Sequence, residues 1–456
     1  MITPTPQNER ATVFSLASIF AIRMLGLFMI LPVFSLYAKQ LAGATPTLIG
    51  IALGIYGLSQ ALLQIPYGML SDRFGRKPLI TLGLLVFICG SIVAALSHHI
   101  VGVIIGRALQ GAGAIGSTIM ALVADLTREE KRTQAMATIG LTIGISFAVA
   151  MVLGPTLNHY IHVSGIFWFT AVLGGLAIVV LHTIVPNPTQ FRRQRDTATI
   201  PSQMCKIASH PELLRLDFGI FCQHAILTAT FVVMPVVLTE HAGLAPAIQW
   251  RFYLPILVLS FLTMVPFIIL AEKKRLMKPV FISAIGIILL AQLMLAFVFQ
   301  HFTLLLLASF LFFASFNLLE ASLPSLVSKF APVGSKGTAL GIYSSSQFLG
   351  IFVGGSLAGW LYGQHSIQGV FLFCALLGLL WWFAALTMAK PPHLATFMLH
   401  TGPLDDAQAH ALSEKLLAEP GVAAVFVGQE EGIAYLKIDN QRADKSKLMA
   451  FSREDA

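Results

Sequence analysis

The sequence predicts an all-α membrane protein, twelve transmembrane helices in two six-helix bundles, followed by a small α+β domain at the C-terminal end. Three observations carry that expectation. Of 456 residues, 56% are hydrophobic and only 11% charged, with a mean hydropathy of +0.80, far more apolar than soluble domains tolerate. Twelve apolar stretches are long enough for helices that cross the hydrocarbon core, which takes about 20 residues each. Beyond Lys390-Pro391-Pro392 the apolar runs stop, and residues 393–456 carry a net charge of −4 against +12 for the remainder.

The spans are expected at 12–38, 47–71, 78–97, 100–125, 133–159, 164–185, 211–238, 249–271, 278–298, 302–328, 337–362 and 366–389. The Met1 to Arg10 segment is polar and holds Pro4 and Pro6, unlike a cleaved signal peptide, so span 1 itself is expected to start insertion. Basic residues then sort by side. Arg10, Arg73, Arg76, Lys77, Arg128, Arg192, Arg193, Arg195, Lys273, Lys278, Lys329, Lys336 and Lys390 fall on the face that carries the N-terminus, against Lys39 and Arg251 opposite. This bias predicts that both termini are cytoplasmic. It explains the net charge of +8 by topology, so nucleic acid is not an expected partner.

The opposite loops hold His98, His99, His159, His162, His241, His301 and His365, read as polar filler, with a pH-sensing or metal-binding rim as the alternative. Cys89, Cys205, Cys222 and Cys374 lack the paired spacing of zinc or redox sites and are expected to pack. No metal or other cofactor is expected. No nucleophile or nucleotide-binding constellation stands out either, which argues against an enzyme and for energy drawn from an ion gradient.

Four units follow: a first bundle (1–185), a cytoplasmic linker (186–210), a second bundle (211–390) and the tail (393–456). The linker carries Arg192, Arg193 and Arg195, then Ile200, Met204 and Ile207 at helical spacing, as an interfacial helix would. The loop after span 2 runs Gly68-Met69-Leu70-Ser71-Asp72-Arg73-Phe74-Gly75-Arg76-Lys77-Pro78 and packs charges between two hydrophobic helices, which asks for a mechanical reason. The loop after span 8, Glu272-Lys273-Lys274-Arg275-Leu276-Met277-Lys278-Pro279, echoes its charge and its final Lys-Pro but lacks the glycines and an aligned Asp. Two six-span halves of the same orientation, with a substrate site near the midplane between them, are a known transporter plan.

On these residues the chain resembles the major facilitator superfamily, in particular its drug:proton antiporter branch. Gly68, Asp72, Arg73, Gly75, Arg76 and Lys77 match the superfamily's signature loop, and Arg107-Ala108-Leu109-Gln110-Gly111-Ala112-Gly113-Ala114 in span 4 matches its second signature. Gly154-Pro155 in span 5 matches the core of the antiporter motif, although Asn158-His159 stand where two glycines are expected. Gly350, Gly354, Gly355 and Gly359 give span 11 an equivalent glycine face. The resemblance covers nearly all of residues 10–390 and implies a multi-pass protein of the bacterial inner membrane. It also makes span 11 the neighbour of span 2.

Gly68, without a side chain, would let span 11 approach closely. Asp72 would then face the N-terminus of span 11 near Gly337 and Thr338, where free amides favour an anion. Arg76 is expected to pair with Asp125 at the end of span 4. Together these residues would latch the halves closed on the inside, the alternative being a loop that only sets topology.

Deeper in the spans, Arg23, Arg107, Glu320 and His224 must face a cavity or a partner, since an unpaired ion at the bilayer centre costs at least ~2.5 kcal/mol. The resemblance associates Arg107 with proton movement. Glu320 reads as the only carboxylate well inside a span, hence as the expected proton carrier, or else as a fixed structural partner of an arginine or of Asn317. Tyr56, Gln60 and Gln64 recur every four residues on one helical face. With Asn317, Tyr343 and Gln347 they are the expected cavity wall, suited to small amphipathic compounds.

In the tail, Phe397 to Leu399, Val422 to Val427 and Ile433 to Ile438 read as strands, and Ala407 to Ala418 and a segment from Lys445 as helices. This β-α-β-β-α order is similar to a ferredoxin-like module lacking its last strand. It has no paired-cysteine loop, so a metal role is not expected despite His393, His400 and His410. An acidic module is expected to dock on the chain's own basic loops or to self-associate. The functional expectation is a proton-coupled efflux antiporter whose partners are the lipid bilayer, protons and a small-molecule substrate. An uptake symporter and a membrane sensor signalling through the tail are the alternatives.

Overall fold

A computed structural model describes residues 6–127, 129–187, 201–332, 335–364, 366–392, 394–402, 404–428, 432–439 and 442–452. Arg128, Arg192, Arg193, Arg195, Ile200, His365 and His393 lie outside the described residues. The first bundle comprises α1 (Pro6–Phe28), the short α2 (Phe34–Ala38), α3 (Pro46–Phe74), α4 (Arg76–Leu96), α5 (Ile100–Ala112), α6 (Gly116–Leu126) and α7 (Glu129–Thr183). Span 4 is thus interrupted between α5 and α6. Spans 5 and 6 share α7, broken where His162 adopts φ 57°.

After α8 (Pro201–Ala208) in the linker come α9 (Pro211–Glu240), α10 (Trp250–Lys273), α11 (Met277–Val298), α12 (Phe302–Phe330), α13 (Lys336–Gln364) and α14 (Ile367–Leu386). Among the described residues ten helical stretches are long and apolar enough to cross a membrane, and the stretch Gln134–Thr183, at 50 residues, holds two spans. The remaining span is α13, whose glycines and serines lower its hydropathy but whose 29 residues suffice.

Local signals place the helix ends. Pro46 opens α3, and the Thr45 hydroxyl accepts the Leu48 amide at 3.2 Å. Gly75, at φ 94°, ends α3 and lets α4 begin at the next residue, a conformation that side chains resist. Leu62, Leu141, Leu262 and Phe297 are each about two-thirds exposed, an outward apolar surface that a lipid surround explains. The most enclosed helix is α9, buried without interruption from Cys222 to Leu238.

The halves meet along α3 and α13. A methyl added at Gly355 would stand 2.7 Å from the Gly50 carbonyl oxygen, and one at Gly359 2.8 Å from the Gly50 Cα. Gly54 and Gly57 press in the same way on Phe352 and Phe348. This backbone-to-backbone seam occupies the half of each helix remote from the chain termini. There Lys39 and Glu240 also bridge the halves at 3.1 Å.

The tail folds as β1 (Ala395–His400), α15 (Asp406–Leu417), β2 (Val422–Gly428), β3 (Ile433–Ile438) and α16 (Lys445–Met449). Its antiparallel sheet has the order β1-β3-β2, with Tyr435 opposite Met398 on one side and Phe426 on the other. Asp405 and Gln408 form a reciprocal cap on α15. Leu399, Leu416, Ala434, Leu436, Ile438 and Leu448 make its core.

All six residues of β3 are buried, although the domain's own core takes only one face. On the other face the Lys437 ammonium donates to the carbonyls of Lys329 and Ala331, both at 2.6 Å, at the end of α12.

Candidate functional site

Polar side chains gather in each half beside the α3–α13 seam. In the first half Arg23 from α1 donates to Gln60, whose amide donates to Gln64 at 2.8 Å. Gln60 and Gln64 are four residues apart and so share a face of α3. Arg107 from α5 donates to Gln110 at 2.9 Å and weakly to the Ala52 carbonyl at 3.4 Å, and Gln110 donates to Ser91 of α4 at 2.8 Å. Both guanidinium groups lie by the Tyr56 ring, with carbons 5.0 Å (Arg107) and 5.9 Å (Arg23) from its centroid.

In the second half Glu320 of α12 accepts from Gln223 of α9 at 2.8 Å and from Gln347 of α13 at 3.5 Å. The same Gln347 amide reaches His224 Nε2 at 2.8 Å, an arrangement that makes this nitrogen the acceptor. His224 Nε2 is also 3.9 Å from the Glu320 carboxylate. Glu320 keeps 30% of its side-chain surface open whereas His224 keeps 4%, so the carboxylate is the accessible member.

Tyr343 of α13 is buried. Across the seam, Tyr56 and Phe348 have ring centroids 6.5 Å apart, and Phe348 adjoins Gln347 in sequence, so the two clusters are neighbours. Phe147 of α7 packs on Phe231, Phe313 and Phe316 of the second half.

Asn317 was expected in the cavity wall but donates to Ser260 of α10 at 2.8 Å and so ties two helices together. Gly154 packs under the Met29 carbonyl, and a methyl there would be 3.1 Å from Pro32 Cγ; Pro155 lies within α7 beside it. Gly350 and Gly354 press on the Phe221 and Ala225 carbonyls of α9, while Gly355 serves the seam with α3.

The signature loop braces its own half. Arg76 Nε donates to Asp125 at 3.0 Å, and its Nη1 donates to Ser71 at 2.6 Å and to Asp72. Lys77 donates to the Val185 carbonyl just past α7. Arg73 lies against the Phe74 ring at 5.5 Å.

Gly68 was expected to meet span 11, and Asp72 to face that helix's N-terminus. Gly68 instead lies nearest Ser117 of α6, 3.3 Å from where a Cβ would stand, and Asp72 pairs with Arg76. The reason is geometric: the halves here are joined at the ends remote from this loop.

Sequence reasoning passed over Gln110, Ser91 and Asp217. Gln110 and Ser91 stand out as polar residues in apolar spans, the signal that finds such a relay. Asp217 is 6% exposed but lies near the start of α9, where a carboxylate attracts no notice.

A family model described as Major Facilitator Superfamily matches residues 16–277 and 216–428. The chain belongs to the Major Facilitator Superfamily. As a member it is a multi-pass membrane transporter. It is 47% identical over 450 residues to Inner membrane transport protein YajR of Escherichia coli (strain K12), covering 99% of this chain and 98% of that protein. It is 28% identical over 383 residues to Multidrug resistance protein 2 of Bacillus subtilis (strain 168), covering 80% and 92% respectively. Its fold is shared with a bacterial homologue of the human lysosomal transporter Spinster, at a TM-score of 0.69, 13% identity, and 85% and 98% coverage.

Proposed function

We propose that this superfamily member is a proton-coupled secondary transporter that exports small amphipathic compounds in exchange for protons, by alternating access. The observation that carries the proton assignment is Glu320, a carboxylate within the spans, hydrogen-bonded to Gln223 and still open over 30% of its side chain. An ionisable group so placed near a cavity is a functional candidate by default, because the bilayer penalises it otherwise. Relatives named multidrug resistance proteins support the export direction.

The basic bias supports a cytoplasmic position for both termini and the signature loop. With that orientation the glycine seam would close the outer side, and this conformation would face inward. In the outward-facing state the inner ends of α3 and α13 would approach, bringing Gly68 and Asp72 to the start of α13 and engaging the latch. Asp72→Asn should therefore shift the population further toward inward-facing forms, read by cysteine probes on the cytoplasmic side of the cavity.

The deciding experiment is substrate-driven proton flux in proteoliposomes. Glu320→Gln should abolish the coupled flux, and full coupling in that variant would remove the carrier assignment. A second reading, proton-coupled uptake, is favoured by Arg23 and Arg107. Both are wholly buried and, among the described residues, neither has an acidic partner, and an anion supplied by the substrate would bind together with a proton rather than in place of one.

A further inference from the structure

Arg23 and Arg107 are both 0% exposed, and they come from different helices to share one aromatic ring. Their hydrogen-bond partners are neutral: glutamine oxygens and one backbone carbonyl. Among the described residues three of their donor nitrogens, Arg23 Nε and Nη1 and Arg107 Nη2, have no acceptor, and the Tyr56 hydroxyl has no partner either. A buried hydrogen-bonding group normally finds a partner, and a buried cation without an anion is costly. Here two such cations converge within the spans, and among the described residues no carboxylate pairs with either.

Gly116 at the start of α6 is buried against the relay that holds Arg23: a methyl added there would be in van der Waals contact with Gln64 at 3.7 Å, Gln60 at 3.8 Å and Phe20 at 3.6 Å.

We infer that the missing acceptors arrive with the substrate: Arg23, Arg107 and Tyr56 form a subsite for an anionic head group, a carboxylate or a similar oxyanion, on an amphipathic molecule. Guanidinium groups suit this role because their planar forks match carboxylate oxygens in pairs. The apolar part of the ligand would lie toward Phe348 and the Phe147 cluster across the seam. The inference rests on the reading of the chain as a transporter and holds for either direction of transport.

The test is equilibrium binding to the purified full chain in lipid nanodiscs without any gradient, so that it does not depend on proton coupling. The probes are three compounds with the same rings: 1-naphthaleneacetate, its neutral amide and 1-naphthylmethylammonium. Acetate and octanoate are added as smaller and aliphatic anions. At least one anion should bind tenfold or more tightly than its neutral or cationic counterpart. Arg23→Gln and Arg107→Gln should each remove that preference, and Gly116→Leu should weaken binding of the anion by displacing Gln60 and Gln64, which hold Arg23.

Without ligand, both glutamine variants should melt at or above the wild-type temperature, because each removes an uncompensated buried cation. Equal binding of the three naphthyl probes, no binding by any anion, or a large drop in melting temperature for the unliganded glutamine variants would each overturn the subsite. Failure of the Glu320→Gln proton-flux experiment would leave these outcomes unaffected.

Discussion

Lys77 and Lys278 stand at equivalent corners of the two bundles. Each precedes a proline at the start of its half's third span and donates to carbonyls at the end of the sixth, Val185 in one case and Leu386, at 3.2 Å, with Met388 in the other. The last carbonyls of a helix lack partners and carry the negative end of its dipole, so an ammonium is the natural cap. The rest of the two loops has diverged in polarity. Arg76 of the first half meets Asp125 at the end of span 4, whereas Glu272 at the end of span 8 meets Lys329 at the end of span 10, at 2.8 Å.

If the two lysines do the same work, Lys77→Ala and Lys278→Ala should lower the melting temperature separately and additively, since sites so far apart share no contacts. Lys77 is 9% exposed, so its change should be the more damaging. Thermal unfolding of the two single variants and the double variant in detergent checks this.

The Arg76–Asp125 pair has side chains only 8% and 6% exposed. Removing one partner of a buried pair costs about 3–5 kcal/mol where it leaves an uncompensated charge. After Asp125→Asn, Arg76 keeps its ion pair with Asp72, so that variant should lose less than this, and the Arg76→Gln/Asp125→Asn double variant should be less impaired than the sum of the singles. A double-mutant cycle measures the coupling. By contrast, Lys39–Glu240, with side chains 42% and 50% exposed, should contribute roughly 0–1 kcal/mol and should weaken further in high salt.

At Gly355 a side chain has no space against Gly50 and Gly54. Gly355→Leu should wedge the seam open and hold the remote end apart, while Gly355→Ala should act in the same direction by less. In a background without Cys89 and Cys205, Ile49→Cys, which lines the cleft between Ser35, Thr45 and Val232, should then react faster with a membrane-impermeant maleimide. An unchanged labelling rate would mean that the seam is not the gate.

Lys437 holds the tail on the end of α12 through two carbonyls. Lys437→Met keeps the apolar stem and removes the donor, so the tail should detach while remaining folded on its own core of Leu399, Leu416 and Leu436. Hydrogen exchange should rise at Ile433, Tyr435 and the close of α12, with the rest of the sheet still protected. A change in transport rate in the same variant would make the docked tail a regulator, and an unchanged rate would make it an appendage.

Spans, repeat and tail were legible because each rests on a local pattern. Apolar length sets a helix across the bilayer, Lys-Pro marks the start of the third span in each half, and the β-α-β-β-α order of the tail follows its alternation and turn residues. Asn317 shows the limit. Its polarity inside an apolar run announces a partner, but whether that partner is substrate or Ser260 depends on which helix lies opposite. Asp217 shows the converse, a carboxylate near a helix start that burial singles out.

By itself the sequence determined that this chain crosses a membrane many times, that its halves repeat and that Arg23, Arg107 and Glu320 need compensation, because hydropathy and the cost of buried charge are properties of residues and their spacing. Only the tertiary structure decided where the compensation lies. Glu320 has its glutamines, the arginines share one tyrosine and among the described residues meet no carboxylate, and Gly68 faces Ser117 rather than the other half. Those outcomes depend on how two bundles tilt against each other, and a glycine seam that closes one end and parts the other leaves no local mark in the chain.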